Sequence, residues 1–590
     1  MDLTLFPRPR SVVISGPGTS AGAPAEVRVD PTLPAEGYRL TIDPSGVRIS
    51  HADEAGLRYA RATLDQVVGH DPRGALPGLR IEDWPDFAAR IYMLDISRDR
   101  VPTRETLERL VRLCSLARIN QLQLYTEHTF AFRDHEVVWR DASPVTPEDI
   151  RWLDDLCAAA GIELVPNFNC FGHMARWLKH DAYRPRAEAP DGVEIMPGVR
   201  MPPAVLAPTA DNAAFALELF AELLPNFRSR QVNVNCDETF DLGHGVSKEL
   251  CAREGKERVY VDHLKRIVEP LSAEGYRVHY WADIIRRQAA FAAELPASAV
   301  PVCWTYEAPV AGRVEQALDP GAAKVMDEMG VDLDSFRGFV DNTRPLAEAG
   351  LPFWVAPGTS SWDSLVGRVD NSRANLLDAA TVGAAHGASG FMITDWGDNG
   401  HLQPPSVSFG PLAFGGAVAW CTAANRDVDI ADVLDRYVLC DPDGTIGSAV
   451  VELGMQWART GLRSVNSSPL QIALLPRRYY FVSGEPDVPG LQDVVERIDA
   501  CVATIGAASL DCSDGDIVRQ ELTQAARLAR HGAWRLLQRG GGPAPGTDDL
   551  RTDLAEAIEG QEAAWLTRSR PGGLADSVGP LRRTLARYSA

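Results

Sequence analysis

Two neighbouring carboxylates, Asp237 and Glu238, follow directly on the run Val232-Asn233-Val234-Asn235-Cys236. Adjacent acids can reach two atoms of one bound molecule, and acid–base chemistry becomes available when one stays ionised while the other keeps a proton. The dipeptide alone carries little weight, because it occurs at Asp53-Glu54, Asp237-Glu238 and Asp327-Glu328. Only the middle copy directly follows a candidate strand. Other polar and aromatic residues stand in the same relation to their own apolar runs: Tyr125-Thr126-Glu127-His128, Asn167 to His173, Trp281 with Asp283, Trp304 with Tyr306 and Glu307, Ser361-Trp362-Asp363, and Asp395-Trp396-Gly397-Asp398. Trp281, Trp304, Trp362 and Trp396 would offer flat apolar faces able to enclose a pyranose, so a sugar pocket is the economical reading.

Residues scattered over this much chain need a scaffold that gathers strand ends. From Arg90 onward, short apolar runs alternate with longer amphipathic segments, the rhythm of βαβ units around a parallel sheet. Strands are expected to begin near Ile91, Gln121, Ile162, Val232, Arg277, Val300, Phe353 and Gly390. Eight units, with no glycine-rich phosphate turn after the first, predict an α/β fold built on a (β/α)₈ barrel, whose active site lies at the strands' C-terminal ends. Between the strands, Thr103 caps a predicted helix running to Ala117, and Thr146-Pro147-Glu148-Asp149 opens another, its acids answering the helix dipole. A small α+β domain over residues 1–85 precedes the barrel, with alternating runs at Tyr38 to Ile42 and Val47 to Ile49 and a helix from Glu54 to about Val68. The barrel takes residues 86–425. A mainly helical region follows over 426–590, broken at Gly540 to Gly546 and Pro571-Gly572-Gly573, with no chemistry assigned to it.

The 590 residues are 45% hydrophobic and 24% charged, a globular composition too long for one ordinary domain. A net charge of -21 repels a polyphosphate backbone and argues against a nucleic-acid partner. No apolar run reaches membrane-spanning length, so no membrane partner is expected. The opening MDLTLFPRPRSVVISGPGTS has no basic segment leading into an apolar core, which predicts a cytoplasmic location. Ten scattered cysteines without a C-x-x-C pair read as reduced thiols, with no metal or other cofactor. A homo-oligomer is left open.

With these motifs in hand, the sequence resembles glycoside hydrolase family 20, the β-N-acetylhexosaminidases and their relatives. The resemblance is carried in order by EGYRLTI, GLRYARATLDQV, IEDWPDF, ARIYMLDISRD, INQLQLY, FGHM and CDE, between Glu36 and about Asp398. It implies an exo-acting enzyme that removes a terminal β-linked N-acetylhexosamine from a small carbohydrate or glycoconjugate. Glu238 is implied as the general acid/base, and Asp237 as the group that orients the substrate's 2-acetamido while its carbonyl oxygen attacks the anomeric carbon, an exception to hydrolysis by two flanking enzyme carboxylates. His173 is implied beside Glu238, with Glu127 or His128 behind it. Arg90 is implied as the arginine gripping sugar hydroxyls, and Asp398 as the acid at the outer hydroxyls. Asn169 and the aromatic residues Trp281, Trp304, Tyr306, Trp362 and Trp396 complete the expected lining. The sequence departs from the family pattern at Asn167 and Asn169, where acids are expected, at Phe171, where a proline is expected, and in APGTSSWDS, which lacks a tyrosine and leaves Trp362 or Tyr306 to substitute.

Three rivals remain on the residues alone. A glycosidase with its own nucleophile would need a second carboxylate roughly 5 Å from the acid, for which Asp363 is the candidate. A metal-dependent hydrolase would use His128, His173, Asp237 and Asp395, although no metal-binding spacing appears. A non-catalytic sugar-binding barrel would have no use for a proton donor.

Overall fold

The computed structural model describes residues 3–70, 74–98, 100–196, 199–286, 288–309, 337–475 and 482–588. The Asp327-Glu328 pair lies outside the described residues.

The leading domain grows from strict alternation. In β3 (Tyr38–Asp43), every second residue, Tyr38, Leu40 and Ile42, is buried, as a half-covered strand requires. It pairs antiparallel with β4 (Gly46–His51) and with β5 (Ala75–Asp83). Edge strands β1 (Ser11–Ser20) and β2 (Ala25–Val29) complete the order β1-β5-β3-β4-β2. The helix Glu54–His70 covers the buried face, and Trp420, which ends the helix Phe409–Trp420, joins the same core with the following Cys421. Asp53 caps that helix, its Oδ1 accepting the N–H of Gly56 at 2.9 Å, which accounts for the first Asp-Glu pair structurally.

Eight parallel strands close the barrel: β6 (Ala89–Asp95), β7 (Gln121–Thr126), β8 (Glu163–Phe168), β11 (Gln231–Asn233), β12 (Arg277–Trp281), β13 (Ala299–Trp304), β14 (Trp354–Ala356) and β15 (Gly390–Asp395). Each begins within two residues of its expected start. The hairpin of β9 (Val193–Met196) and β10 (Val199–Met201) sits in the connection after β8. Six aligned pairs between β15 and β6 seal the cylinder. Two-residue periodicity then sorts the side chains: Leu122 and Leu124 of β7 pack outward on helices, whereas Gln123 and Tyr125 face the interior.

The helix starts follow their sequence signals. Thr103 caps Arg104–Leu116, and Thr146 forms a reciprocal capping box with Asp149 at the start of Pro147–Ala160. Asp149 is also paired with Arg104 and Arg570, each at 2.8 Å, and these partners hold its carboxyl down at about 2 despite burial. Arg570 belongs to the last region of the chain, whose helices Val488–Ala507, Gly515–Arg539, Thr547–Arg568 and Leu574–Ala586 share one apolar core with the barrel helices. The second and third of their three breaks fall at the two glycine- and proline-rich stretches, and the first spans residues 508–514. All ten cysteines are free thiols. Among the described residues no helix is long and apolar enough to cross a membrane.

Candidate active site

The site stands on a layer of buried amides inside the barrel. Asn167 Nδ2 donates to Gln123 Oε1 (2.8 Å), Asn235 Nδ2 to Asn167 Oδ1 (2.8 Å), and the Trp281 indole N–H to Asn235 Oδ1 (2.7 Å). Pairing buried amides with one another offsets much of the desolvation penalty each would carry alone, Gln123 Nε2 excepted, and fixes the strand ends in one arrangement. Above this layer the chain leaving β11 turns sharply, with positive φ at Asn235 (58°), Cys236 (66°) and Glu238 (48°). Such backbone is disfavoured for side chains other than Asn and Gly, and it clusters where structure is held for function. Gly172 accommodates the turn: a Cβ there would lie 2.1 Å from the carbonyl oxygen of Asp237.

Asp237 and Glu238 point into the same mouth with different exposure. The Asp237 side chain is 7% exposed and accepts a hydrogen bond from Asn169 Nδ2 at 3.0 Å, whereas Glu238 is 38% exposed. His173 Nε2 lies between them, 3.2 Å from Asp237 Oδ2 and 3.3 Å from Glu238 Oε2. Burial alone would raise the Asp237 pKa, but the His173 imidazole and Arg98 outweigh it and keep it below the ordinary carboxylate range. For His173, burial opposes the charge and the two acids overcome it, so its pKa rises well above the usual value. Asp283 accepts the backbone N–H of Glu238 at 3.0 Å, and burial, with the Asp237 charge beside it, pushes its carboxyl up to about 7.

Arg98, at the exit of β6, ties the far side together. Its Nη2 is 3.3 Å from His173 Nδ1, its Nη1 3.2 Å from Asp95, and its Nε 3.7 Å from Glu127 and 3.8 Å from Asp398. The guanidinium lies 5.0 Å from both the Tyr125 and Trp396 rings, a stacked position suited to a planar cation. Glu127 accepts from the Tyr125 hydroxyl at 3.0 Å, and burial raises its pKa. The aromatic wall continues from Trp396, whose indole N–H donates to the Tyr306 hydroxyl at 2.9 Å, to Trp304, stacked on Tyr306 at 5.2 Å, and Trp362, edge-on to Tyr306 at 5.1 Å.

Most of the residues singled out from the sequence therefore meet, but two do not. Arg90 is corrected: it is the second residue of β6, at the strand's opposite end, and it is fully buried. Its guanidinium pairs with Glu36 of the leading domain at 2.6 Å and donates to the carbonyls of Phe87 and Arg118, so it joins the leading domain to the barrel. His128 is buried and makes no hydrogen bond to Asp237, Glu238 or His173. Burial and the cations Arg176 and Lys179 hold its pKa down at about 3. Trp281 and Trp362 are also fully buried, so they support the lining from behind. Arg98 was legible in principle, since the strand-end rule applied to the first strand leads straight to Asp95 and Arg98. Asp363 is committed elsewhere, accepting from Gln471 (2.9 Å) and Asn399 (2.5 Å), and Asp395 accepts from Tyr92 (2.6 Å) and Thr359 (2.7 Å). Among the described residues no group of three or more His, Cys, Asp or Glu side chains could hold a metal ion.

Comparison with known proteins agrees with this architecture. Residues 4–84 match glycosyl hydrolase family 20, domain 2, and residues 87–344 match the catalytic domain of the same family. A β-N-acetylhexosaminidase of Cellulomonas fimi is 26% identical over 424 residues, covering 60% of this chain and 81% of that protein. A β-hexosaminidase of Vibrio furnissii is 27% identical, covering 44% of this chain and 47% of its own length. Among solved structures, the Flavobacterium johnsoniae chitobiase shares the fold over 99% of both chains, with a TM-score of 0.53 at 14% identity. An exo β-N-acetylglucosaminidase of Vibrio harveyi in complex with N-acetylglucosamine covers 70% of this chain and 73% of its own, with a TM-score of 0.52 at 16% identity. The chain belongs to glycosyl hydrolase family 20 and is a glycoside hydrolase.

Proposed function

We propose that this glycoside hydrolase removes a terminal β-linked N-acetylhexosamine with retention of configuration, the substrate's own acetamido group serving as nucleophile. The observation that carries the reading is the placement of His173 Nε2 between a buried Asp237 and a more exposed Glu238. An ionised, enclosed Asp237 suits the acetamido N–H and the positive charge that develops on that group. Glu238, at the open mouth, suits the leaving group.

In the first step the acetamido carbonyl oxygen bonds to the anomeric carbon as the glycosidic C–O bond breaks, and Glu238 gives its proton to the departing oxygen. The sugar becomes a cyclic oxazolinium, whose N–H faces Asp237. In the second step Glu238 takes a proton from water, the water oxygen bonds to the anomeric carbon, and the ring C–O bond reopens to restore the acetamido. Tyr306 is the hydroxyl we assign to the acetamido oxygen in place of the tyrosine missing after β14. In support, its hydroxyl is held in the aromatic wall by the Trp396 indole N–H at 2.9 Å, and burial, with the Asp237 and Glu238 charges adding to it, raises its pKa and keeps the phenol protonated. The stacked Trp304 and the Trp396 edge would frame the sugar. The relatives' names, β-N-acetylhexosaminidase and β-hexosaminidase, support the same substrate class.

The test is hydrolysis of 4-nitrophenyl N-acetyl-β-glucosaminide and -galactosaminide beside the 2-hydroxyl glucoside, with the first-formed anomer read by proton NMR. Turnover of an acetamido sugar with the β-anomer appearing first is expected. Inversion, or preference for the 2-hydroxyl glucoside, contradicts the reading.

A further inference from the structure

The last region of the chain touches the barrel's strand-end loops in several places, and at the segment around Asn466 its contacts are polar and specific. The backbone N–H of Asn466 donates to Glu307 Oε1 at 2.8 Å, while its side-chain Oδ1 accepts the indole N–H of Trp362 at 3.1 Å. Glu307 is buried and gripped by Arg368 at 2.7 and 3.3 Å. Beyond Asn466, the N–H of Ser468 donates to the carbonyl of Asp363 at 2.7 Å, Gln471 Nε2 donates to Asp363 Oδ1 at 2.9 Å, and Gln471 Oε1 accepts the N–H of Leu365 at 3.1 Å. Packing a helical region on a barrel needs apolar contact and none of these bonds. They converge instead on the loops after β13 and β14, and the residue of the second loop that meets the aromatic wall is Trp362. Its ring stands edge-on to Tyr306, which accepts from Trp396 and stacks on Trp304. The φ of Asn466 is 51°, a left-handed backbone in which asparagine and glycine are the residues best tolerated.

We propose that Asn466 is a positioning residue of the sugar site, fixing the Trp362 indole and through it Tyr306 and Trp396, so that the C-terminal region completes the aromatic wall around the acetamido sugar. The inference rests on the sugar-site reading and adds to it a residue 104 positions from the loop it acts on. An indole N–H left without its acceptor in a buried wall loses the one direction that fixes its ring plane. Trp362 can then tilt, and the Tyr306 hydroxyl moves with it.

The experiment is a double-variant cycle on 4-nitrophenyl N-acetyl-β-glucosaminide with Asn466→Gly, Trp362→Phe and the pair. Glycine keeps the left-handed backbone while deleting the acceptor, and phenylalanine keeps a ring while deleting the donor. Each single change is expected to raise KM by about tenfold with kcat held within about threefold, the scale of one hydrogen bond. The pair should be no worse than the weaker single variant, because both remove the same bond. Multiplying losses, or an Asn466→Gly enzyme with lower thermal stability and unchanged KM, would identify a structural tether and overturn the proposal. If the wild-type enzyme hydrolyses no acetamido sugar, the sugar-site reading fails separately. The positioning claim is then read from the Trp362 indole N–H resonance, which shifts in Asn466→Gly if the bond exists and stays in place if it does not.

Discussion

Asp283 and Glu238 are joined by a hydrogen bond in which the backbone N–H of Glu238 donates to the Asp283 carboxylate across 3.0 Å. Glu238 has a φ of 48°, so a carboxylate at the end of β12 holds the neighbouring acid in a conformation its own backbone disfavours. That carboxylate is itself perturbed: its Oδ1 is buried without a partner, and burial with the Asp237 charge lifts it to about 7.

The pH dependence of stability follows from that lift. An ordinary aspartate titrates near 3.9, so between about pH 4 and pH 7 the folded protein keeps a proton that the unfolded chain has released. The stabilising effect of that proton is complete below the unfolded value and is lost as pH rises through the folded one. Asp283→Asn abolishes this titration. Urea unfolding across about pH 5 to 8 should show the wild type losing stability relative to the variant. Parallel curves for the two proteins would contradict the assignment.

His173 carries the same sign for the opposite charge type. Its pKa is raised by Asp237 and Glu238 against burial, so its charge contributes stability that is full below about pH 6.5 and lost as pH climbs through the raised value. His173→Gln should therefore lower the unfolding midpoint more at pH 6 than at the most alkaline pH the fold survives. Turnover should fall by roughly 10- to 100-fold as the two acids lose their shared partner. A pH-independent change in midpoint would show that the imidazole is neutral.

The two arginines at the opposite ends of β6 separate structure from chemistry. Arg90→Met leaves Glu36 facing an apolar stem at a domain joint and should destabilise the fold by about 3 kcal/mol, with KM unchanged. Arg98→Met should raise KM by roughly tenfold or more, since one bidentate donor beside the pocket is lost. Thermal unfolding and initial-rate kinetics on both variants check this. A KM effect confined to Arg90→Met would place Arg90, and not Arg98, at the substrate.

The acids divide by substrate. Glu238→Gln should lower kcat by roughly 10²-fold or more on every glycoside tested, the range for general acid catalysis. Asp237→Asn should harm acetamido sugars more than 2-hydroxyl sugars. Equal losses from Asp237→Asn on both would point to ordinary nucleophilic catalysis.

What the sequence disclosed, and what it hid, has a physical pattern. Barrel strands such as Gly390–Asp395 are buried on both faces and read as continuous apolar runs, and caps such as Thr146 with Asp149 are local chemistry. Both can be read within a window of a few residues. Arg90 and Arg98 stand at the two ends of one strand, and the family resemblance points to Arg90, whereas the strand-end rule, a local reading, points to Arg98. The polar lock of Asn466 on Trp362 and Glu307 was invisible, because a contact across more than a hundred residues leaves no local pattern. The amide layer of Gln123, Asn167 and Asn235 likewise reads as three unrelated polar residues until barrel closure brings them together.

The central claim, that the substrate's acetamido oxygen is the nucleophile beside Asp237, is tested most directly by replacing the acetamido hydrogens of a 4-nitrophenyl β-glucosaminide with one, two and three fluorines. Fluorine withdraws electron density from the carbonyl oxygen while changing its size little. The account predicts that kcat falls steeply with each fluorine, with the trifluoro substrate slower by roughly 10²-fold or more, a few kcal/mol of transition-state stabilisation. A rate indifferent to fluorination would contradict it.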